Sequence, residues 1–177
     1  MDRLKEVSFP LEHITTVTTR ARRAGESQDR DYHFISREAF EQMIERGELL
    51  EWANVYGNLY GVPREPVRQA LAGGKDTIVK VDVQGVANIK KILPQAVFIF
   101  VSPPSVAEAT SRLENRRTES PDELARRTRT VEEELQRLHL FDYIVLNRRN
   151  EVEQAATDIV AIVTAEKCRV KPREIIL

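Results

Sequence analysis

Arginines are concentrated in one short stretch near the start of the chain. Four of them fall within the eleven positions from Arg20 to Arg30, and Tyr32 follows shortly after. Guanidinium groups bind phosphate oxygens through paired hydrogen bonds, and a tyrosine hydroxyl can add a neutral donor. The stretch therefore indicates a phosphate site, although a solvated basic loop would have the same composition.

Glu51 is an acidic residue inside an otherwise apolar run, LLEWA. A half-buried carboxylate needs hydrogen-bond donors around it, and a guanine ring offers two side by side, at N1 and at the exocyclic amine. An ion pair between Glu51 and a neighbouring arginine would satisfy the same carboxylate. The sequence alone leaves both interpretations open.

Lys80 and Asp82 stand two positions apart near the end of a β-branched run. Alternation along a strand would put both side chains on one side, at the carboxyl end where open α/β sheets bind ligands. The spacing predicts that they lie near a bound ligand, and a purely structural contact between them is the alternative.

Further arginines flank a predicted helix break near Ser120. A segment that moves can bring such side chains over a phosphoryl group and spread its charge. Arginine-rich helix surfaces are also common, so the pattern is weak by itself. The residues are Arg112, Arg116, Arg117, Arg126 and Arg127.

The elements that must position these residues alternate between short β-branched runs and longer segments of helical period. This alternation predicts an α/β fold, an open parallel sheet covered by helices, and the region 20–62 breaks the rhythm like an inserted subdomain. The predicted strands are 15–19, 32–35, 49–56, 77–83, 97–101 and 143–146. The predicted helices are 37–46, 86–92 and 152–165, with others starting at Pro63, Ser105 and Ser120, and a turn is predicted at Gly57-Asn58.

Composition limits the class of protein. A chain of 177 residues fits one domain, over 1–177, and its 27 basic against 28 acidic residues argue against a bulk nucleic-acid binder. The single Cys168, the polar N-terminus and the lack of a long apolar run predict a soluble, cytoplasmic protein with no membrane partner. The three histidines lack a metal-ligand spacing, so no metal-ligating residue is predicted. The oligomeric state cannot be read from the sequence.

Taken in order, the motifs closely resemble those of the guanylate kinase family. The resemblance runs from about residue 15 to residue 167. Its motifs stand here as TTRARRAGE (18–26), DYHF (31–34), Glu51-Trp52-Ala53, GNLYG (57–61), VDVQG (81–85), PPS (103–105), Arg112-Leu113, Glu134 and FDYIVLN ending at Asn147. Any one could arise by chance, but the ordered set could hardly do so.

The resemblance implies a P-loop NTPase-type sheet with helices on both faces, a small mixed GMP-binding lobe over about 20–75 and a lid over about 116–130. It implies an ATP:GMP phosphotransferase that converts GMP to GDP, with Mg²⁺ arriving with ATP. The residues implied to hold the GMP phosphate are Arg20, Arg23, Tyr32 and Tyr60; Glu51 would read guanine, with Thr16 near the base. Glu26 and Asp82 would lie by the phosphate or its magnesium, Arg112, Arg116 and Arg127 would be lid and transition-state arginines, and Asn147 would lie on the adenine side.

Three departures from the family pattern affect these expectations. No G-x-x-x-x-G-K-[ST] loop stands in the sequence, so the loop and the first strand of the family are expected to be absent and turnover to be impaired. Val62 stands where a hydroxyl of the family hydrogen-bonds guanine, which could weaken base binding. Lys80 replaces an acidic residue common before Asp82 and puts the magnesium arrangement in doubt. A non-catalytic module that binds GMP or a phosphoprotein, or a kinase for another nucleoside monophosphate, would be the alternatives.

Overall fold

The computed structural model describes residue 4 and residues 9–114 and 133–177, with only the backbone of residues 112–114. These residues form two compact units, Met1–Ala96 with Glu174–Leu177 and Val97–Arg173. Among them, no helix is long and apolar enough to cross a membrane.

The first unit contains a mixed sheet of four strands. These are β2 (Val17–Thr18), β3 (His33–Phe34), β4 (Leu49–Val55) and β5 (Asn58–Pro63), in the spatial order β3-β2-β5-β4. The strands β4 and β5 form an antiparallel hairpin, whereas β2 and β3 are parallel. The hairpin turn lies at Tyr56 and Gly57, both with positive φ, one residue earlier than predicted because Asn58 already pairs with Val55.

Helix α1 (Arg37–Glu45) supplies the core beneath this sheet. Ser36 caps it by accepting a hydrogen bond from Ala39 N, as the sequence predicted. Phe40 is fully buried and packs in one cluster with Val17, Leu49 and Leu59. The sheet is therefore anchored by apolar side chains on the α1 face, which leaves its other face to carry polar groups.

A second, parallel pair of strands in this unit joins β1 (Leu11–Ile14) to β6 (Asp76–Val79). Helix α2 (Arg64–Ala72) follows β5 and ends at Gly73, as predicted. The strand β1 was not predicted, because only its first and last residues are apolar.

The junction between β6 and helix α3 (Val83–Ile92) corrects the sequence analysis. The predicted strand 77–83 ends at Val79, and the helix begins at Val83 rather than at residue 86. The cause is Asp82, whose Oδ1 accepts a hydrogen bond from Gly85 N at 2.7 Å and caps the helix. Lys80 and Asp82 thus lie in a loop, and the argument from strand alternation does not apply to them.

The second unit pairs β7 (Ile99–Ser102) with β8 (Tyr143–Leu146) in parallel. It also contains helix α4 (Val106–Glu114), a 3₁₀ turn at Leu138–Leu140 and helix α5 (Val152–Lys167). Ser105 caps α4 through Glu108 N, as predicted. The helix predicted to start at Ser120 lies outside the described residues. The C-terminal segment is tied down by Arg173, whose Nε donates to Glu166 at 2.8 Å.

Candidate functional site

The first group of site residues lies where β2 leaves the mixed sheet, and we call it the cationic cluster: Arg20, Arg23, Glu26, Tyr32 and Tyr60. Arg20 Nε donates to the hydroxyl of Tyr60 at 3.1 Å, and Arg20 Nη2 donates to Glu26 Oε1 at 2.7 Å. The other carboxylate oxygen, Glu26 Oε2, accepts from Arg23 N at 2.8 Å. The structure therefore brings together Glu26 and the four residues that the family resemblance implied for the GMP phosphate.

Arg20 is fixed in place but is not saturated. Its side chain is 12% exposed, and its third hydrogen bond is from Nη1 to the carbonyl of Ala21. A guanidinium has five N–H donors, so two of them are not used by any described residue and are available to a ligand. Burial lowers the pKa of Arg20, but the hydrogen bond to Glu26 and the interactions with Tyr60 outweigh it and leave that pKa above its ordinary value. The hydrogen bond from Arg20 in turn lowers the pKa of Glu26, despite some burial.

The ring of Tyr32 packs against the other aromatic rings and the guanidinium of the cationic cluster. Its ring lies edge-to-face against Tyr60, with centroids 5.9 Å apart, and against Phe34 at 5.7 Å. The Arg20 guanidinium carbon is 5.5 Å from the centroid of Tyr32, within the range of a cation–π contact. The rings and the guanidinium thus hold one another in a defined arrangement.

Two threonines position Arg20, a role that the sequence analysis did not assign. Thr18 Oγ1 donates to the carbonyl of Leu59 at 2.9 Å and accepts from Arg20 N at 3.1 Å. Thr19 Oγ1 accepts from Leu59 N at 2.9 Å. The hydroxyls extend the attachment of β2 to β5 beyond the last paired residue, and the TTR motif was the signal that could have revealed this.

The second group, which we call the base pocket, surrounds Glu51 on β4: Glu51, Val62, Asp82, Gly85 and Asn88. Glu51 is only 7% exposed, and within the described residues its Oε2 has no hydrogen-bond partner and it forms no salt bridge. Burial raises its pKa to about 7; the charge of Asp82 adds to this rise, and the Asn88 side chain opposes it. The alternative that Glu51 pairs with an arginine is therefore not seen in the described part of the chain.

Gly85 gives Glu51 the room that it occupies. A Cβ atom at Gly85 would lie 2.8 Å from Glu51 Oε1 and 3.0 Å from its Cδ. No side chain fits there unless the carboxylate moves, so the close contact with Glu51 explains why the VDVQG motif has a glycine at this position. No salt bridge joins Lys80 to Asp82, which leaves Asp82 as the cap of α3 and as a charge near Glu51.

Val62 and Thr16 are both buried. Val62 is 0% exposed and pairs directly with Glu51 across the hairpin, so its side chain is next to the carboxylate and adds no polar group. Thr16 is also buried, and its carbonyl accepts from His33 N, which links it to β3. The apolar Val62 increases the desolvation of Glu51.

The cationic cluster and the base pocket share one face of the mixed sheet. Tyr60 pairs with Ala53, two residues beyond Glu51 on β4, and side chains two apart on a strand point the same way. Glu51 therefore lies about 7 Å along the strands from the level of Tyr60. This face of the sheet therefore carries cationic donors at the level of Tyr60 and a buried carboxylate acceptor at the level of Glu51.

Comparison with known proteins decides the family. The family model described as guanylate kinase matches residues 4–166. The chain belongs to the guanylate kinase family. It is 41% identical over 161 residues to a guanylate kinase of Carboxydothermus hydrogenoformans, covering 91% of this chain and 78% of the relative. It is 45% identical over 166 residues to that of Halalkalibacterium halodurans, covering 94% and 80%.

A solved structure of a guanylate kinase, from Anaplasma phagocytophilum, resembles the fold. The TM-score is 0.81 at 30% identity, and the match covers 99% of this chain and 83% of that chain. The predicted α/β fold of the P-loop NTPase type is thereby confirmed.

Other residues implied by the guanylate kinase family pattern are only partly described. Arg112 lies on α4, of which the structure gives only the backbone at that position, and Arg116, Arg127 and the predicted lid lie outside the described residues. Asn147 follows β8 in the second unit, where its N–H donates to the carbonyl of Ser102 at 2.8 Å.

The guanylate kinase family uses ATP with Mg²⁺. The described residues contain no group of three or more His, Cys, Asp or Glu side chains that could hold a metal ion. Mg²⁺ is commonly held by one or two carboxylates and by substrate phosphates. Because only Oδ1 of Asp82 is used in capping, its second oxygen fits a metal that arrives with ATP.

Proposed function

We propose that this chain binds GMP and transfers the γ-phosphoryl group of ATP to it. The observation that carries the proposal is the arrangement of one face of the mixed sheet. A guanidinium with spare donors and a buried, unpartnered carboxylate oxygen lie on that face, at neighbouring levels of the strands. Phosphate and guanine need those two groups respectively, and a nucleotide joins them in one molecule.

The cationic cluster would hold the GMP phosphate. Arg20 would contribute its two remaining N–H groups, and the exposed Arg23 would contribute a guanidinium that makes no hydrogen bond or salt bridge within the described residues. The Tyr32 and Tyr60 hydroxyls would add neutral donors. Because Glu26 holds Arg20 before the ligand arrives, little rotational freedom is lost on binding.

The base pocket would select guanine. The ionised carboxylate of Glu51 would accept hydrogen bonds from N1–H and from the 2-amino group, which adenine does not offer in that pattern. Thr16 would lie near the base, and Val62 would contact it without a hydrogen bond. Selectivity would therefore come from one carboxylate, in a pocket dry enough to make the hydrogen bonds strong.

In the transfer itself, an oxygen of the GMP phosphate attacks the γ-phosphorus in line and the bond to the bridging oxygen of ADP breaks. Bound Mg²⁺ would neutralise charge on the ATP phosphates. The protein's part is to position the acceptor and to supply positive charge, from Arg112, Arg116 and Arg127 at the transferred group. Asn147 would approach the adenine side.

We further propose that the 177-residue chain performs this transfer slowly. Its sequence contains no loop of the G-x-x-x-x-G-K-[ST] type, which supplies backbone donors and a lysine to the phosphates of ATP. A coupled assay of ADP release tests this. A kcat within the range of about 1–100 s⁻¹ seen for kinases would contradict it.

The binding proposal is tested by calorimetry with GMP, guanosine, AMP and a phosphoserine peptide. We expect GMP to bind more tightly than guanosine, and AMP at least about tenfold more weakly than GMP, because unpaired polar groups are costly. Tight binding of the phosphopeptide with none of GMP at millimolar concentration would instead support a phosphoprotein-binding module.

A further inference from the structure

Lys80 lies beside the cationic cluster although it comes from a different part of the chain. It lies in the loop after β6, and its Nζ is 4.4 Å from the centroid of the Tyr32 ring. The same ring is 5.5 Å from the Arg20 guanidinium carbon. Two cations from separate segments therefore lie against one aromatic side chain.

Lys80 also differs from its neighbours in having no acidic partner among the side chains that the structure describes. Arg20 is paired with Glu26, and Lys75 is paired with Glu12 at 2.9 Å. Lys80 contacts Tyr32, and no carboxylate of residues 9–111 or 133–177 lies within salt-bridge distance of its Nζ. An aromatic face attracts an ammonium but leaves its three N–H groups able to hydrogen-bond an anion.

We propose that Lys80 binds the phosphate of the nucleoside monophosphate together with Arg20, with Tyr32 holding the ammonium in place. This inference rests on the proposed function. It adds a phosphate ligand that comes from the loop before Asp82 and from outside the cationic cluster. The ring orients the lysine stem before the ligand arrives, and the charge of the phosphate replaces the missing carboxylate.

The position of Lys80 separates this role from base recognition. Lys80 is exposed and contacts Tyr32, whereas Glu51 is buried against Gly85 of α3. Removing a residue that binds phosphate should lower the affinity for GMP and leave the affinity for guanosine, which has no phosphate, unchanged. A residue that only braces Tyr32 would act through the Tyr32 hydroxyl, so its loss should not change GMP affinity once that hydroxyl is removed in a Tyr32→Phe background.

The test is a calorimetric titration of the 177-residue chain with GMP and with guanosine, comparing the wild type with Lys80→Met, Lys80→Arg and Lys75→Met, and comparing Tyr32→Phe with the double variant Tyr32→Phe, Lys80→Met. We expect Lys80→Met to lower GMP affinity by about tenfold or more, as for loss of a charged hydrogen bond, and to leave guanosine affinity unchanged. Lys80→Arg should keep most of the GMP affinity. Lys75→Met, the matched control, should change the affinity for neither ligand.

The outcomes distinguish this inference from the function on which it rests. If the wild type binds GMP, the phosphate role of Lys80 is overturned by any of three results: Lys80→Met binds GMP equally well, it loses guanosine and GMP affinity by the same factor, or it has no effect on GMP affinity in the Tyr32→Phe background. The proposed function stands in each case. If the wild type fails to bind GMP, the proposed function is overturned and the role of Lys80 with it.

Discussion

The cationic cluster and the base pocket handle charge in opposite ways. In the cluster, each charge has a partner or lies near solvent: Arg20 is matched by Glu26, and Arg23 is exposed. In the base pocket, Glu51 is buried beside Asp82 with no cation near it among the described residues. The paired charges of the cationic cluster hold its side chains in place before the ligand arrives, which favours high affinity. The unpaired carboxylate of the base pocket needs hydrogen-bond donors from the ligand, which favours selectivity for a base that has them.

The largest effect should come from removing the buried charge. The pKa of Glu51 is raised from 4.5 to about 7, so the folded state holds its proton more tightly than the unfolded state. Its contribution to stability is complete below pH 4.5 and is lost as the pH rises toward 7, by about 3 kcal/mol in all. Glu51→Gln does not titrate and should therefore gain stability over the wild type across that window.

Urea unfolding of both proteins at pH 4.5 and at pH 8 measures this difference. The exposed Glu45→Gln serves as the matched control and should show no comparable gain. If the free energy of unfolding has the same pH dependence in Glu51→Gln and in the wild type, burial does not raise the pKa of Glu51, and the contrast between the two regions would be lost.

Arg20→Ala should have the next largest effect, this time on the cationic cluster. It removes the charged hydrogen bonds to phosphate and leaves Glu26 without its partner, so GMP affinity should fall by about 30-fold. Guanosine affinity should stay within about twofold, because the base pocket is separate. Calorimetry with both ligands measures this, with Arg37→Ala, an exposed arginine paired with Glu41, as the control. A parallel loss of guanosine binding would show that the two regions are not independent.

Gly85→Ala should affect the base pocket by a smaller amount. The new methyl group would push the Glu51 carboxylate from its place, and guanosine affinity should fall by about tenfold. Stability should change little, since alanine in a helix contributes about 1 kcal/mol more than glycine and offsets the displacement. Unchanged guanosine affinity would show that the position of the carboxylate is not critical.

Arg23→Ala should have the smallest effect. Its side chain is exposed, so its attraction to phosphate is weakened by water and salt, and GMP affinity should fall by only about threefold. Titrations at low and high ionic strength should show that the difference between variant and wild type shrinks as salt is added. A salt-independent loss would place Arg23 in a desolvated contact.

Local signals in the sequence predicted much of the fold correctly. Ser36 and Ser105 cap helices as expected, because a hydroxyl one position before a helical run satisfies a free N–H. The strand β1 was missed, because its pairing with β6 is set by contacts distant in sequence rather than by its own pattern. The end of β6 was misplaced because Asp82 acts as a cap and stops the strand early.

The sequence named the residues of the candidate site but did not predict how they are arranged. The family motifs named Arg20, Glu26, Tyr60 and Glu51, and the structure places them in two groups on one sheet face. That Glu26 is the partner of Arg20 could not be read from spacing, because it depends on how the intervening loop folds. The contact of Lys80 with Tyr32 was missed for the same reason, since it joins segments that only the tertiary structure brings together.

The most direct test of the account is the pH dependence of guanosine affinity in the wild type and in Glu51→Gln. Guanosine has no phosphate, so its binding reports the base pocket alone. With a pKa of about 7 for Glu51, wild-type affinity should rise by about tenfold between pH 6 and pH 8 as the carboxylate ionises. Affinity of Glu51→Gln should be lower at pH 8 and independent of pH. Identical profiles for the two proteins would contradict the claim that an ionised, buried Glu51 reads the base.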